Sequence, residues 1–479
     1  MTETEKTVRT PSAAYMRGAE RRLLASTLMG GTAAMRKAGE TFLPREYAED
    51  TVAYAARLNR TVLFNAFSKT VVDMVGRIFA KPVQVGDDVP KAIADLCDNV
   101  DLTGRDLNTF AYEVALDAMA CGVSFILQDM PPALPDGATR ADEIATGLRP
   151  YLVHIKAEDL IGWKTTTVAG REVATQIRIV ECVDEPDPKS PYEDAKVEQV
   201  RVIEIGEGNC LWTTYRKDKE GKWLLHDSGT MAAREIPITP VYFSRCGFFE
   251  GKPPLADLAE LNLAHWQSSS DQRTILHVAR VPILFGSGWD EKDTLTIGAG
   301  TFARATAVDS KLVYVEHSGA AIDAGRNDLK DLETQMQAMG LQLLINKPAA
   351  TATGEIRDDA KENSALFMMA DALEDALEAA LAGMGAYIGL GEDCSVNVNK
   401  EFGGISVGAV DQNTLLTMCE RGLISHETLL REMQRRGVLA DDFDPEDEAE
   451  KLSAYDAADD GEDDPADPMD NEDGAAAAA

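Results

Sequence analysis

The sequence predicts an α+β fold in which helices flank a mainly antiparallel sheet. Two patterns and a size argument carry this. Apolar residues recur at three- and four-residue steps over Ala53 to Ala80 and Glu355 to Tyr387, the spacing that lines one face of a helix. Between Tyr151 and Phe243 the period falls to two, with β-branched and aromatic residues prominent. The chain has 479 residues, 44% of them hydrophobic and 27% charged, so it can bury a core and exceeds the size at which one core keeps growing.

The elements follow in order. Pro11 to Gly39 reads as helix, capped by Ser12, interrupted at Gly30 and Gly31, with Tyr15, Leu23, Leu24, Leu28 and Met35 apolar. Ala53 to Ala80 reads as one helix burying Leu63, Phe67, Val71, Met74, Val75 and Ile78, stopped by Pro82. Asp106 to Ala120 buries Phe110, Val114 and Met119, and Gly122 turns the chain into the strand Val123–Leu127. The sheet region includes a hairpin in which Gly221 supplies a positive φ, and Pro186, Pro188 and Pro191 fall in a polar connection. A helix is predicted from Leu255 to Ala279, then strands at Ile283–Phe285 and Lys311–Val315. Helices resume at Asp328–Ile345 and Glu355–Tyr387, the latter with a stripe of Leu366, Met369, Leu373, Leu377, Ala380, Leu381 and Met384. A short strand at Val396–Asn399 precedes a helical pair over Asp411–Leu439, turning at Gly422 with Ser425 as cap.

Charge narrows the function classes. The net charge of −34 repels nucleic acid at long range and argues against sequence-specific DNA binding. Residues 441–474 hold 17 Asp or Glu against the single Lys451, a balance of −16 that leaves −18 for the rest. So dense a like charge with little apolar content predicts a disordered tail. The longest apolar stretches fall well short of the roughly 18 to 20 residues of a membrane span, so no membrane partner is expected. The amino terminus lacks an apolar signal core, and the chain is expected to stay in the cytoplasm where it is made. Seven scattered cysteines without a C-x-x-C pair point to reduced, mostly buried thiols, with no disulfide framework or zinc site.

A search for chemistry predicts no enzyme and no cofactor. Gly247 to Pro253 approaches a phosphate-binding loop but is one residue short and has Pro where a hydroxyl must hold magnesium. The six histidines include no pair four residues apart, and Gly286-Ser287-Gly288 lacks the flanking spacing of a hydrolase elbow. The acids Asp358, Asp359, Asp371, Glu374, Asp375 and Glu378 could in principle hold magnesium for a nuclease. On the long helix, however, the last four of these lie opposite the apolar stripe, a position expected to be solvated.

Five sets of segments stand in a telling order: Tyr54–Pro82, Ala120–Asp129, Pro237–Phe243 with Pro253–Asn262, Thr334–Gly340 with Thr351–Thr353, and Gly422–Arg431 with Arg436–Leu439. Taken together they resemble bacteriophage portal proteins. The resemblance covers roughly residues 15 to 440. It implies a mixed α/β wing with an antiparallel sheet (1–254), a stem helix (255–280), a short clip with return strands (281–326), a long helical region near a channel (327–400), a crown-like helical pair (401–440) and the acidic tail (441–479). It further implies a ring-shaped homo-oligomer, twelve subunits round, at the capsid vertex of a virion assembled in the bacterial cytoplasm. Double-stranded DNA would pass without sequence preference, and the major capsid protein, the terminase large subunit and a head-tail connector would be partners. Lys330, Asn346, Lys347 and Arg357 are candidates to face the channel. A different head-tail connector or a scaffold protein is the alternative among virion components.

Overall fold

The computed structural model describes residues 7–131, 139, 147–187, 190, 192–280, 283–288, 309, 311–315, 319–341, 352–390, 394–400, 402, 409–435, 438–439 and 443. The fold is α+β, and among the described residues every strand pairing is antiparallel. The chain divides into two compact units, Met1–Phe402 and Gly403–Ala479.

The first unit opens with α1 (Ala13–Arg17), α2 (Ala19–Met29) and α3 (Gly31–Ala38). Ser12 caps α1 by accepting the Tyr15 amide, as its hydroxyl predicts. Leu24, Leu28 and Met35 are buried, whereas Leu23 faces solvent. The helix predicted over Ala53–Ala80 is two helices, α4 (Thr51–Arg60) and α5 (Ala66–Ile78). An extended step at Thr61–Asn65 separates them, and Asn65 caps α5 by accepting the Ser68 amide. Asn262, far along the chain, holds this step open: its Nδ2 donates to the Phe64 carbonyl at 2.8 Å and its Oδ1 accepts the Phe67 amide at 3.0 Å. The predicted stripe survives the break, because Leu63, Phe67, Val71, Met74, Val75 and Ile78 are all buried.

Strand β1 (Gln84–Val85) and helix α6 (Lys91–Ala94) lead to α7 (Leu107–Cys121), capped by Asp106. Gly122 follows at φ +87°, left-handed as its position after a helix suggests. It delivers the chain into β2 (Val123–Asp129), all seven residues of which are buried. Strand β2 is the centre of a three-stranded sheet between β3 (Tyr151–Ile155) and β9 (Ile238–Tyr242).

A second sheet is a five-stranded meander of β4 (Leu160–Val168), β5 (Arg171–Pro186), β6 (Asp194–Ile205), β7 (Cys210–Lys217) and β8 (Trp223–Met231). The predicted hairpin turn is present, with Gly221 at φ +82°. Pro186 ends β5 opposite Asp194, while Pro188 and Pro191 lie outside the described residues. Register shifts in the β4–β5 and β7–β8 pairings interrupt both edges of this sheet, which blunts them against further pairing. A small hairpin of β10 (Arg245–Gly247) and β11 (Glu250–Gly251) brings Phe249 against Phe125 and Trp163, with ring centroids 5.3 and 6.0 Å apart.

Helix α8 (Ala256–Ala279) follows, then β12 (Ile283–Ser287) paired with β13 (Lys311–Val315), then α9 (Ala320–Met336). Helix α9 begins eight residues before its predicted start at Asp328 and passes into a π turn, Gln337–Leu341; its predicted end at Ile345 lies outside the described residues. Helix α10 spans Ala352–Tyr387 over 36 residues. Leu366, Leu373, Leu377, Ala380, Leu381 and Met384 are buried as the stripe predicts, and Met369 partly so. That stripe packs on β2 and β9 within the same core as Leu24, Phe67 and Phe110, so the C-terminal half of α10 is a core helix of the first unit. Strand β14 (Val396–Asn397) pairs with β1.

In the second unit, α11 (Ala409–Glu420) and α12 (His426–Arg435) flank Gly422 at φ +67°. Ser425 accepts the Thr428 amide at 3.1 Å, the cap its position predicts. The acidic tail, residues 441–479, lies outside the described residues apart from Phe443. Of the seven cysteines, all unbridged, Cys97, Cys121, Cys210 and Cys394 are buried, but Cys182 and Cys246 are exposed and Cys419 half-exposed.

Candidate functional site

Helices α8 and α9 form an antiparallel pair whose contact is unusually polar. His265 Nε2 stands 3.4 Å from Glu333 Oε1. One helical stretch further along α8, Gln272 Nε2 donates to the Ile322 carbonyl at 2.9 Å, and its side chain packs where a Cβ on Gly325 would stand 2.1 Å from Oε1. At the other end Gly340 packs on Leu258 and Thr70. Asn262, His265, Ser269 and Gln272 are all buried and recur at helical spacing, so this face of α8 is a polar stripe inside protein. The flank is equally polar: Arg57 holds Glu49 through two nitrogens, at 2.8 and 2.7 Å, and reaches Ser270 Oγ at 3.4 Å. The Arg57 guanidinium keeps the Glu49 carboxyl below its ordinary value, and burial raises that of Asp271. His265 Nδ1, Trp266 Nε1 and Gln272 Oε1 are buried with no hydrogen-bond partner among the described residues.

The structure distributes the predicted channel residues unevenly. Lys330 lies exposed on α9. Arg357 lies in the N-terminal part of α10, while Asn346 and Lys347 fall outside the described residues. The four candidates are therefore not brought together as one described site.

The acids of α10 correct a second expectation. Asp375 is exposed, but Glu378 accepts the Val396 amide at 3.0 Å and Glu374 accepts the Val398 amide at 2.9 Å. Lys400 Nζ bonds Asp371 at 2.6 Å and Glu374 at 2.7 Å. The polar face of α10 is thus covered by the segment around β14 and serves it as a row of acceptors. Helical spacing identifies that face as polar but says nothing of the strand that arrives on it. Among the described residues no group of three or more His, Cys, Asp or Glu side chains is placed to hold a metal ion.

One constellation is invisible to sequence motifs. Ser124 Oγ lies 2.9 Å from His154 Nε2, and Asp117 Oδ2 lies 3.8 Å from the same nitrogen while accepting the Ala157 amide at 2.9 Å. A nucleophile relay needs serine and carboxylate on opposite ring nitrogens and an open face for substrate. Here both address one nitrogen and Ser124 is fully buried, so the cluster ties α7 to β2 and β3. Burial, reinforced by Glu158, raises the neighbouring Asp159 carboxyl to about 6. A part-buried ionic link joins the two sheets, where Arg201 hydrogen-bonds Asp129 at 2.6 Å and forms an ion pair with Glu181 at 2.9 Å.

The family described as Domain of unknown function (DUF4055) matches residues 254–388, the span from α8 to the end of α10. No curated protein matches the chain. Among solved structures, the chain is similar to one in the neck of an empty GTA particle computed with C6 symmetry, at 13% identity over 78% of this chain and 89% of that one, with a TM-score of 0.40. It is likewise similar to a chain in the neck of the native GTA particle computed with C12 symmetry, at 13% identity, 76% and 88% coverage and a TM-score of 0.39. A chain in the virion of the native gene transfer agent particle shares 14% identity over 78% and 89%, with a TM-score of 0.39. Among the described residues no helix is long and apolar enough to cross a membrane.

Proposed function

We propose that this chain is a ring-forming structural component of a phage-type virion, without enzymatic activity. Within that class it is the portal subunit, lining the opening at a capsid vertex through which double-stranded DNA is packaged and ejected. The observation that carries the reading is the antiparallel column of α8 and α9 joined through the β12–β13 pair, which fits a stem crossed by a short clip. The order of segments along residues 15 to 440 supports it independently.

Identical subunits meeting head to tail close into a ring when the rotation between them closes, and twelve copies are proposed. A conduit for DNA works by weak contact, because neutralising many phosphates would convert passage into binding. The balance of −18 outside the acidic tail suits that, with Lys330, Asn346, Lys347 and Arg357 as sparse points of attraction. The ring is a passive platform: a separate terminase ATPase supplies the work, and the major capsid protein and a head-tail connector dock on it. Negative-stain electron microscopy of the purified chain tests this. Rings with an axial hole are expected; a monomer under assembly conditions and in particles overturns the reading, as does magnesium-dependent DNA cleavage lost when Asp358, Asp359 and Asp375 become Ala.

A further inference from the structure

Residues 13–81 contain eleven Lys or Arg against six Asp or Glu, a balance of +5 in a chain of net −34, which leaves −39 for everything else. Some of these cations are spent internally. Arg17 pairs with Glu250, Arg45 with Glu40, Arg57 with Glu49 and Lys69 with Asp73. Others are not. Arg36 reaches the Thr61 carbonyl through Nη2 at 2.9 Å and Nε at 3.3 Å. That contact sets the last turn of α3, with Lys37, beside the end of α4, with Arg60. No carboxylate pairs with Arg36, Lys37 or Arg60 among the described residues, and Arg60 Nε is buried without a partner. The extended step that follows exposes Val62 and Phe64, at 43% and 44%, beside these cations.

We infer that this patch, Arg36, Lys37, Arg60, Val62 and Phe64, is a contact surface for a second copy of the same chain. The inference rests on the ring reading above. Copies carrying so much negative charge repel one another, and association requires that each present a cationic surface to its neighbour's acids. A one-sided patch of this kind gives the head-to-tail contact that a ring needs, because the complementary acids lie elsewhere on the surface of the next copy. The exposed Val62 and Phe64 decide between the two anionic partners: a phosphate backbone makes no use of apolar flanks, whereas a protein interface buries them.

The test uses the full chain and the variant Lys37→Glu/Arg60→Glu, with mass photometry and negative-stain imaging at matched concentrations. A circular dichroism melt checks that the variant folds. The expected result is at least a tenfold fall in the assembled fraction of a folded variant. Lys37→Glu alone, at an exposed position that leaves the buried Arg60 nitrogen in place, supplies a measurement free of folding effects: it should lower the assembled fraction in the same direction. Wild-type assembly by both folded variants overturns the inference and leaves the ring reading intact. So does a variant that assembles normally but loses affinity for a DNA duplex, which makes the patch a phosphate contact. Patch-dependent oligomers without an axial hole support the inference and overturn the ring, whereas a parent chain that stays monomeric overturns both.

Discussion

Asn262 on α8 satisfies two backbone groups of the step between α4 and α5 at once, donating to the Phe64 carbonyl at 2.8 Å and accepting from the Phe67 amide at 3.0 Å. The Asn262 side chain and Phe67 are both fully buried, so the Phe67 amide cannot turn to water instead. Replacing Asn262 with Leu keeps similar bulk, strands that amide and removes the donor to the Phe64 carbonyl. The cost is roughly 2 to 4 kcal/mol, visible as a lower urea midpoint at unchanged slope. An unaltered midpoint would show that the step is held by packing alone.

Glu378 accepts the Val396 amide and Glu374 the Val398 amide, which ties the segment around β14 to α10. Glu378→Ala leaves the Val396 amide without that acceptor, and Glu374→Ala also removes a partner of Lys400. Each should cost roughly 1 to 3 kcal/mol and speed amide exchange of residues 396–398. Hydrogen–deuterium exchange that leaves this segment protected in both variants counts against the arrangement.

Asp159 makes stability depend on pH. Its carboxyl is raised from 3.8 to about 6 by burial and by Glu158 and Asp117, with Lys156 and His154 opposing. An acid whose folded value is raised contributes stability fully below about pH 4 and loses it as the pH climbs through about 6. The loss is on the order of 1 to 2 kcal/mol after allowance for partial solvent screening. Asp159→Asn should therefore exceed the parent in urea midpoint at pH 7.5 and lose most of that advantage by pH 4.5. A gap of constant size across this range refutes the assignment.

Gly122 is required twice over. Its φ is +87°, and a Cβ there would stand 2.2 Å from the Lys252 carbonyl oxygen. Gly122→Ala meets left-handed strain and backbone that cannot give way, so a loss of more than about 3 kcal/mol is expected. Thermal unfolding or soluble yield reports it; a variant melting within about 2 °C of the parent contradicts the geometry.

Local chemistry was the legible part of the sequence. Ser12 and Ser425 cap helices where their short polar side chains predict, and Gly122, Gly221 and Gly422 take the positive φ their turns need. What local pattern missed depends on residues remote in sequence. The break at Thr61–Asn65 keeps the helical spacing of Leu63 and Phe67, and its cause, Asn262, sits about two hundred positions on. Glu374 and Glu378 read as a solvated face because nothing in α10 announces the strand that covers it. Ser124 and His154 meet only because β2 pairs with β3, and no motif spacing encodes that.

The buried polar stripe of α8 has a mechanical consequence. His265 and Gln272 each engage one specific group on α9, and Gln272 packs closely against Gly325. Oily helix faces can creep past one another, but a column pinned this way cannot telescope: slipping by one turn, about 5.4 Å, would forfeit every pin together. Under an axial load the two rods should hold their length and bear the strain as a single strut.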